Sequence, residues 1–467
     1  MSRQSYRTAG VAVVLLLAAG GRIATGQDQG TAGPSAQASP SPAPEKKPAA
    51  EPFAFADFSW VPGNYGASER PLSFKAVTGE FRTDVAYHYS FNRPQDDTIS
   101  GSSEVFRHDE FQLTQLGIGG DLNYKNVQGR LMTQFGMYST TTPRNDASPG
   151  RGQWTLDNAY RYISEAYGGY HIDKWNGINV QAGIFMSYVG LWSYYNFDNW
   201  TYQPSYVSSN TPWFFNGLRV QIFPSDKLKI EPWFINGWQS YGKFNSTPGV
   251  GLQVLWRPNG SFSLLGNQYY GKDTLGNSDR KRFHTDDSVM MKYHDNPAGT
   301  LTKAAFSLTI DVGCESGGGV SCSGGTAASP SQYFLGFMAY NRLWFDHDRV
   351  GLTVGGGAID NPGRYLVLMP PINGATAFSG TPYFTYNPGD RFKAWDTQVT
   401  FDYLPRPFVI FRAEFNHRHA NVPYFSGSGG VTPPGGNTGP PGSVVPGFTP
   451  DLRPSENRLT FAFLVKL

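Results

Sequence analysis

The chain ends in NRLTFAFLVKL, residues 457–467, and this stretch decides the fold class. Every odd position from 459 to 467 is apolar or aromatic, whereas Arg458, Thr460 and Lys466 lie at even positions. Because successive side chains of a strand point to opposite faces, the stretch predicts a strand with one apolar face and one mostly polar face. Such a strand suits a wall that meets lipid outside and water inside. The pattern therefore predicts a bacterial outer-membrane β-barrel.

The first residues of the chain have the pattern of an export signal. Arg3 and Arg7 precede an apolar run over residues 9–21, and small residues follow it. This run is too short for a membrane-spanning helix, and its flanks are typical of a secretory signal peptide. The sequence predicts a signal peptide over residues 1–26, cleaved near Gly26. It thereby predicts a protein of the outer membrane of a Gram-negative-type bacterium.

A segment of low complexity follows the predicted signal peptide. Residues 33–52 are rich in Pro, Ala and Ser and contain almost no large apolar side chain. Such a composition cannot bury a core and favours an extended, semi-rigid spacer. We expect residues 27–70 to form a disordered periplasmic spacer and residues 71–467 to form the barrel.

The overall composition agrees with an all-β membrane protein. The chain contains 55 Gly, 34 Pro, 33 Phe, 26 Tyr and 11 Trp residues, and only 16% of its residues are charged. Its mean hydropathy is nevertheless −0.39. A membrane protein is hydrophilic on average when a polar lumen and polar loops dilute its lipid face, which is the barrel case. The formal net charge of +2 gives no reason to expect a nucleic-acid partner.

The two cysteines lie close together, in CESGGGVSC. In an exported protein, Cys314 and Cys322 are expected to form a local disulfide that closes a loop. A two-thiolate metal site is disfavoured, because no histidine or third sulfur is nearby. The sequence predicts no metal and no cofactor.

Alternating segments recur from about residue 81 to the end of the chain. The connections between them are alternately short and long, and the long ones are rich in Gly, Pro, Asn and Ser. The long connections are 92–110, 139–158, 188–212, 239–248, 272–286, 313–331, 360–392 and 419–455. Short turns on one rim and long loops on the other are typical of outer-membrane barrels. The count predicts a transmembrane antiparallel up-and-down β-barrel of about sixteen strands, with fourteen to eighteen accepted.

Several stretches in the middle of the chain follow one another in a characteristic order. They are EAYGGY (165–170), VQAGIF (180–185), NW (199–200), NTPWFFNG (210–217), FPSDK (223–227), NGWQ (236–239), WRPN (256–259) and RFHTD (282–286). In order and number these stretches resemble the OmpL-like β-barrel porin family. The resemblance implies an outer-membrane porin, and it carries over no catalytic residues.

The segment 188–212 and its flanks form the richest candidate site. In a porin, a long loop that folds into the lumen sets the aperture, and aromatic rings there stack on the apolar faces of sugars. The alternative is that these rings belong to the interfacial aromatic girdle or pack the loop against the wall. The candidate residues for constriction and solute stacking are Tyr188, Trp192, Tyr194, Tyr195, Trp200, Tyr202, Tyr206 and Trp213.

Charged residues that alternation directs inward form the second candidate site. Opposed basic and acidic rows would create a transverse field that screens solutes by charge. The alternative is that they are solvated wall residues or wall ion pairs without a role in selectivity. The candidates are Arg130, Arg161, Glu165, Arg219, Lys229, Glu231, Arg257, Arg412 and Glu414.

The predicted function is a channel for passive diffusion of small hydrophilic solutes, with outer-membrane lipid and lipopolysaccharide around it. The C-terminal strand is expected to engage the barrel assembly machinery, and the oligomeric state, a homotrimer included, stays open. One alternative is a structural or adhesive surface barrel whose loops 360–392 and 419–455 bind a partner. Another is an outer-membrane hydrolase, because residues 280–288 contain Ser, His and Asp, although no nucleophile-elbow sequence accompanies them.

Overall fold

The computed structural model describes most of the chain after residue 50. It describes residues 51–64, 70–99, 101–143, 146, 148, 153–243, 245–274, 277–326, 331–362, 391–421, 423–429 and 451–467. The predicted signal peptide, the first part of the predicted spacer and most of the two loops proposed for partner binding lie outside the described residues.

Sixteen antiparallel strands form the wall of the molecule. They are β1 Val77–Ser90, β2 Glu110–Tyr124, β3 Val127–Thr133, β4 Ile163–Ile172, β5 Ile178–Met186, β6 Phe214–Ser225, β7 Leu228–Ile235, β8 Gly249–Asn259, β9 Phe262–Gly271, β10 Lys281–Asp295, β11 Leu301–Ser316, β12 Tyr333–Phe345, β13 Val350–Asn361, β14 Phe392–Arg406, β15 Val409–Ala420 and β16 Ser455–Lys466. Each strand pairs with the next one along the chain, and β16 pairs with β1. The sheet is therefore a closed barrel, and the prediction of sixteen strands is confirmed.

In the part of the chain that the structure describes, the elements other than the barrel strands are short. The helices are α1 Tyr138–Thr141, α2 Leu156–Tyr160 and α3 Tyr206–Ser209, and Asn196–Asp198 forms one 3₁₀ turn. A two-residue strand, Ser73–Phe74, pairs with β1, and another, Phe425–Ser426, pairs with Leu452–Arg453. No helix in the described part of the chain has the length and apolar character to cross a membrane.

The two rims of the barrel differ. Connections on the rim that holds the start of β1 are short, such as residues 125–126 between β2 and β3 and residues 407–408 between β14 and β15. The opposite rim carries the long loops. There Cys314, at the end of β11, forms a disulfide with Cys322 in the loop that follows, with their Cα atoms 5.1 Å apart. In an outer-membrane barrel the short turns face the periplasm, which defines the periplasmic mouth.

The two faces of the wall differ as alternation predicts. On β15, Phe411 and Phe415 point outward and are 49% and 41% exposed, whereas Arg412 and Glu414 point inward and are each 2% exposed. The outward rings would lie against lipid, and the inward charges must find partners inside the barrel, because an unpaired buried charge is costly. The wall therefore supplies charged groups to the interior.

A basic substitution on the outer face tests this assignment. Phe415 lies near the middle of β15, and Phe415→Arg is expected to cost about 2–4 kcal/mol of unfolding free energy, because the guanidinium would enter the hydrocarbon. The matched control is Asn457→Arg, at the extracellular end of β16, where the cost falls to about 0–1 kcal/mol. Guanidine unfolding in lipid vesicles measures both variants. Equal losses would show that Phe415 does not face lipid.

The segment before β1 differs from the sequence-based expectation. Residues 51–64, which we expected to belong to a disordered spacer, pack against the periplasmic turns and the interior. The backbone N–H of Phe53 donates to the carbonyl oxygen of Asp226 (2.7 Å), and the indole of Trp60, 1% exposed, donates to that of Gly260 (3.0 Å). The expectation was wrong for these residues because the apolar-poor composition of residues 33–52 does not extend past Phe53.

Candidate pore and the loop that crosses it

Residues 187–213, which connect β5 to β6 and are called the crossing loop here, bond to strands on the far side of the barrel. Their partners are inward side chains of β1, β12, β14, β15 and β16. Since these strands lie around the wall from β5 and β6, the crossing loop runs through the interior instead of over the rim.

Two arginines of the wall hold backbone carbonyls of the crossing loop. Arg412 donates to the carbonyl oxygens of Asn199 (2.7 Å), Thr201 (2.8 Å) and Asn196 (3.1 Å). Arg342 donates to the carbonyl oxygen of Trp200 (3.1 Å). A guanidinium presents five donors in a fixed fork, which suits one side chain to several carbonyls. The carbonyl-rich turn around residues 196–201 is thereby fixed to the wall.

The two arginines are held in turn by one carboxylate. Asp402 on β14 accepts from Arg412 Nε at 2.7 Å and from Arg342 Nη1 at 2.8 Å. All three side chains are nearly or fully buried. Buried ion pairs are tolerated when additional hydrogen bonds satisfy the remaining donors, and the loop carbonyls provide them.

Carboxylates of the wall hold backbone N–H groups of the same loop. Glu414 accepts from the N–H groups of Tyr202 (2.6 Å) and Gln203 (3.1 Å). Asp396 accepts from the N–H of Tyr206 at 2.9 Å, at the start of α3. Cations therefore meet carbonyls and anions meet N–H groups, so the wall charges match the polarity of the loop backbone.

The β1 side of the barrel supplies further contacts to the crossing loop. Asp198 lies between Lys466 (2.9 Å) and Arg82 (3.0 Å). The hydroxyl of Tyr202 donates to Asp84 at 3.0 Å. The crossing loop is thus bound to β1 and β16 as well as to β12, β14 and β15.

The eight predicted aromatic residues lie in or next to the crossing loop, and most of their rings pack against other side chains. Tyr188 stacks on Trp233 at 4.8 Å, and the Trp192 ring lies 4.8 Å from that of Tyr340. Only Tyr194 and Trp213 are partly exposed, with ring centres 5.6 Å apart. Six of the eight are buried: Tyr188, Trp192, Tyr195, Trp200, Tyr202 and Tyr206.

The predicted wall charges divide into loop contacts and wall contacts. Arg412 and Glu414 hold the crossing loop, as described above. Arg130 makes ion pairs with three carboxylates, those of Glu80, Asp121 and Glu165. The Tyr195 hydroxyl also donates to Glu165 at 2.8 Å, which links this group to the loop.

Four other predicted charges, Arg219, Lys229, Glu231 and Arg257, lie elsewhere on the wall. Lys229 pairs with Glu231 at 2.9 Å on β7. Arg219 lies over the rings of three aromatic residues, with its guanidinium carbon 4.5 Å from the ring centre of Phe185, 4.7 Å from that of Tyr167 and 5.6 Å from that of Trp233. Arg257 lies in β8 near the N-terminal segment.

Arg161 is set apart from the other predicted charges. It precedes β4, and its Nε lies 3.4 Å from the carbonyl oxygen of Ser139, in the long connection after β3. The structure therefore does not bring Arg161 together with the inward charges of the strands.

Several interior charges escaped the sequence analysis although alternation places them on the same face. Asp402 and Asp396 share the inward parity of β14, and Arg82 and Asp84 share that of β1. Alternation would have assigned them inward, but it carries no information on which inward charges bind a loop. Those left out of the candidate set include Arg82, Asp84, Arg342, Asp396, Asp402, Arg418 and Arg458.

Two cavities border the crossing loop. The first, about 470 Å³, is lined by Arg82, Arg130, Glu104, Tyr194 and Trp213 among others. The second, about 670 Å³, is lined by Trp60, Trp200, Trp344, Lys303 and Arg406 among others. Asp198 borders both of them.

The charge of the first cavity depends on pH near neutrality. Burial raises the pKa of Glu104, in the loop between β1 and β2, to about 7. This carboxyl gains a negative charge as the pH rises through that value, and Arg418 and Arg458 favour its charged form.

The residues considered for hydrolase chemistry do not form a nucleophile–base pair. Ser288 on β10 shares a hydrogen bond with Thr309 Oγ1 at 2.8 Å. His284 Nε2 lies 2.7 Å from Asp311 Oδ1, on β11. A nucleophilic serine needs its hydroxyl within reach of the base, and here the hydroxyl bonds a threonine.

Comparison with known families agrees with the strand pairing and the sequence motifs. Residues 82–439 match the model of a family described as "Putative beta-barrel porin-2, OmpL-like". The chain belongs to this porin family. No curated relative matches the sequence.

Solved structures that resemble this porin-family chain include three outer-membrane channels. The anion-selective porin from Comamonas acidovorans is 10% identical over 84% of this chain and 99% of that chain, with a TM-score of 0.48. The channel DcaP of Acinetobacter baumannii is 11% identical over 84% and 97%, with a TM-score of 0.46. OprB of Pseudomonas putida is 11% identical over 84% and 94%, also with a TM-score of 0.46.

Proposed function

We propose that this barrel is an outer-membrane porin through which small hydrophilic solutes diffuse passively, and that the crossing loop sets its aperture. The observation that carries the proposal is the attachment of the crossing loop to inward charges of the far wall, above all to Arg412 and Glu414. A segment held in this way occupies cross-section that would otherwise conduct. Its position, not the barrel diameter, then limits the size of the solute.

The first cavity supports a role for charge in solute selection. Arg82 and Arg130 lie on its lining together with Asp121, Glu165 and Asp198. Charged groups on the proposed path favour polar, hydrated solutes over apolar ones. The same charges bias the permeation of small ions.

Tyr194 and Trp213 support a weak preference for sugars. These two rings of the candidate set are partly exposed and line the first cavity. A flat ring beside polar groups stacks on the apolar face of a sugar while the polar groups bind its hydroxyls. The other six rings of the set serve to pack the crossing loop.

The membrane context follows from the same proposal. The outward aromatic face contacts outer-membrane lipid and lipopolysaccharide. The C-terminal strand β16 binds the barrel assembly machinery during insertion. Export requires removal of residues 1–26, with cleavage near Gly26. Mass spectrometry of the native protein measures its first residue.

Conductance in planar bilayers tests the proposed function directly. The purified full-length protein is expected to insert with discrete conductance steps, and a neutral oligosaccharide added to one side is expected to reduce the current. Heat-denatured protein is the control. A folded, heat-modifiable protein that produces no steps, either as the full chain or without residues 51–64, would contradict the channel and favour a surface protein with a closed interior.

A further inference from the structure

Residues 51–64, called the N-terminal plug here, lie across the periplasmic mouth of the barrel. The plug contacts three separated points of this rim. Phe53 N–H donates to Asp226 O (2.7 Å) after β6, and Trp60 Nε1 donates to Gly260 O (3.0 Å) after β8. Asp57 lies 3.9 Å from Lys303 Nζ, near the start of β11. These three contacts hold the plug along the arc of the rim from β6 to β11.

The plug also reaches up to the crossing loop. The N–H of Gly63 donates to the carbonyl oxygen of Asp198 at 2.9 Å. Gly63 has a φ of +75°, and a Cβ added to it would lie 2.3 Å from the carbonyl oxygen of Leu191. Only glycine combines this backbone conformation with so close an approach. The plug and the crossing loop therefore meet backbone to backbone.

Apolar burial holds the plug inside the mouth. Phe58, Trp60 and Val61 are buried and share one core cluster with Leu191 and Trp192 of the crossing loop. Burial of a large apolar side chain stabilises the folded state, because it removes apolar surface from water. These three side chains therefore stabilise the bound position of the plug. The aromatic side chains of the plug fill space on the proposed solute path.

A wall charge is covered by the same segment. The guanidinium carbon of Arg257 lies 4.3 Å from the ring centre of Phe58 and 5.2 Å from that of Phe53. Such cation–π contacts replace water around the guanidinium. Arg257, which the sequence analysis assigned to the water-filled lumen, thus faces the plug.

We infer that the N-terminal plug keeps the channel closed at its periplasmic mouth, and that the channel opens when the plug leaves its seat. This inference rests on the proposed porin function. Asp198 connects the plug to the wall through the crossing loop. Its backbone carbonyl accepts a hydrogen bond from the plug, and its side chain pairs with Arg82 and Lys466. Departure of the plug therefore opens the mouth and also releases one support of the crossing loop.

Removal of the plug tests the inference. A variant lacking residues 51–64 is expected to show severalfold higher single-channel conductance or open probability than the full chain. The double variant Phe58→Ala/Trp60→Ala retains the chain and is expected to show a smaller increase in the same direction. Trp175→Ala is the matched control, because Trp175 lies outside the plug, in the short turn between β4 and β5, and is 56% exposed, so it should leave conductance unchanged. Heat-modifiability on gels verifies that each variant is folded.

A disulfide lock tests the same inference in the opposite direction. A Cβ built on Gly260 lies 2.8 Å from the Cβ of Ala56, so Ala56→Cys/Gly260→Cys is expected to bridge the plug to the rim after a small shift. The oxidised protein should lose the openings of the wild type and regain them with a reductant. Wild-type protein with the same reductant controls for the native Cys314–Cys322 bond.

The outcomes separate this inference from the proposed function. If the wild type and the deletion variant conduct equally, or if the oxidised lock conducts as well as the deletion variant, the plug is not a closure although the porin function stands. If folded wild type, deletion variant and double variant all fail to conduct, both proposals are overturned.

Discussion

Deletion of Tyr194–Asp198 is expected to raise single-channel conductance severalfold and to widen the size limit for solutes. The ends of this segment already lie together, since Ser193 N–H donates to Asn199 Oδ1 and Asn199 Nδ2 donates to the carbonyl oxygen of Ser193, both at 2.8 Å. The shortened chain can therefore be closed with little strain. The deletion removes the link from Asp198 to Arg82, and with it two aromatic side chains that border the first cavity.

A deletion elsewhere on the same rim provides the control. Gly324 and Gly325 are exposed in the loop after β11, and their removal should leave conductance unchanged. Single-channel recording and liposome swelling with sugars of graded size measure the two effects. If removal of Tyr194–Asp198 lowers the yield of folded protein without changing conductance, the crossing loop is a packing element and does not set the aperture.

Arg412→Gln is expected to lower the free energy of unfolding by about 3–5 kcal/mol, because it removes one partner from a buried ion pair. The substitution leaves Asp402 with Arg342 as its remaining cation, and it leaves the carbonyls of Asn196, Asn199 and Thr201 without their common donor. An unsatisfied buried carbonyl costs more than the net gain of a hydrogen bond. Guanidine unfolding in detergent measures the loss.

An exposed arginine provides the matched comparison. Arg349 pairs with Asp346 at 2.7 Å in the turn between β12 and β13, where both side chains are exposed. Arg349→Gln should leave stability unchanged, since surface ion pairs contribute little. Limited proteolysis adds a local readout, because Arg412→Gln should expose the crossing loop to cleavage while Arg349→Gln should not. Similar stability in the two variants would show that Arg412 does not hold the loop.

Sequence alone predicted the barrel and its faces because both depend on local alternation. The period of two along β15 separates Phe411 from Arg412 without any knowledge of the partners of either residue. The rhythm of short turns and long loops similarly predicts the strand count. Both properties are encoded within segments of about ten to fifteen residues.

The contacts of the interior could not be predicted in the same way. Arg412 and its carbonyl partner on Asn199 are separated by 213 positions, and no periodicity relates a wall arginine to a backbone carbonyl of a distant loop. The sequence analysis placed Arg412 in the lumen by strand alternation and considered it for charge selection or for a wall ion pair. The structure gives it carbonyl partners, which charge patterning does not encode.

The N-terminal plug was missed for a different reason. The composition of residues 33–52 was extended to residue 70, which hid the aromatic residues that begin at Phe53. Phe53, Phe55, Phe58 and Trp60 lie within eight positions, a density that a spacer would not need. A narrower window on aromatic content would have identified the segment.

The connection of the crossing loop has a consequence for the order of folding. The loop follows β5, yet it is tied to β14, β15 and β16, which are made last, and the ring closes only when β16 pairs with β1. Contacts so distant along the chain form late, because loop-closure entropy must be overcome first. An assembly intermediate that lacks its final strands therefore carries the loop unanchored. We therefore expect the crossing loop to be ordered only in a completed barrel.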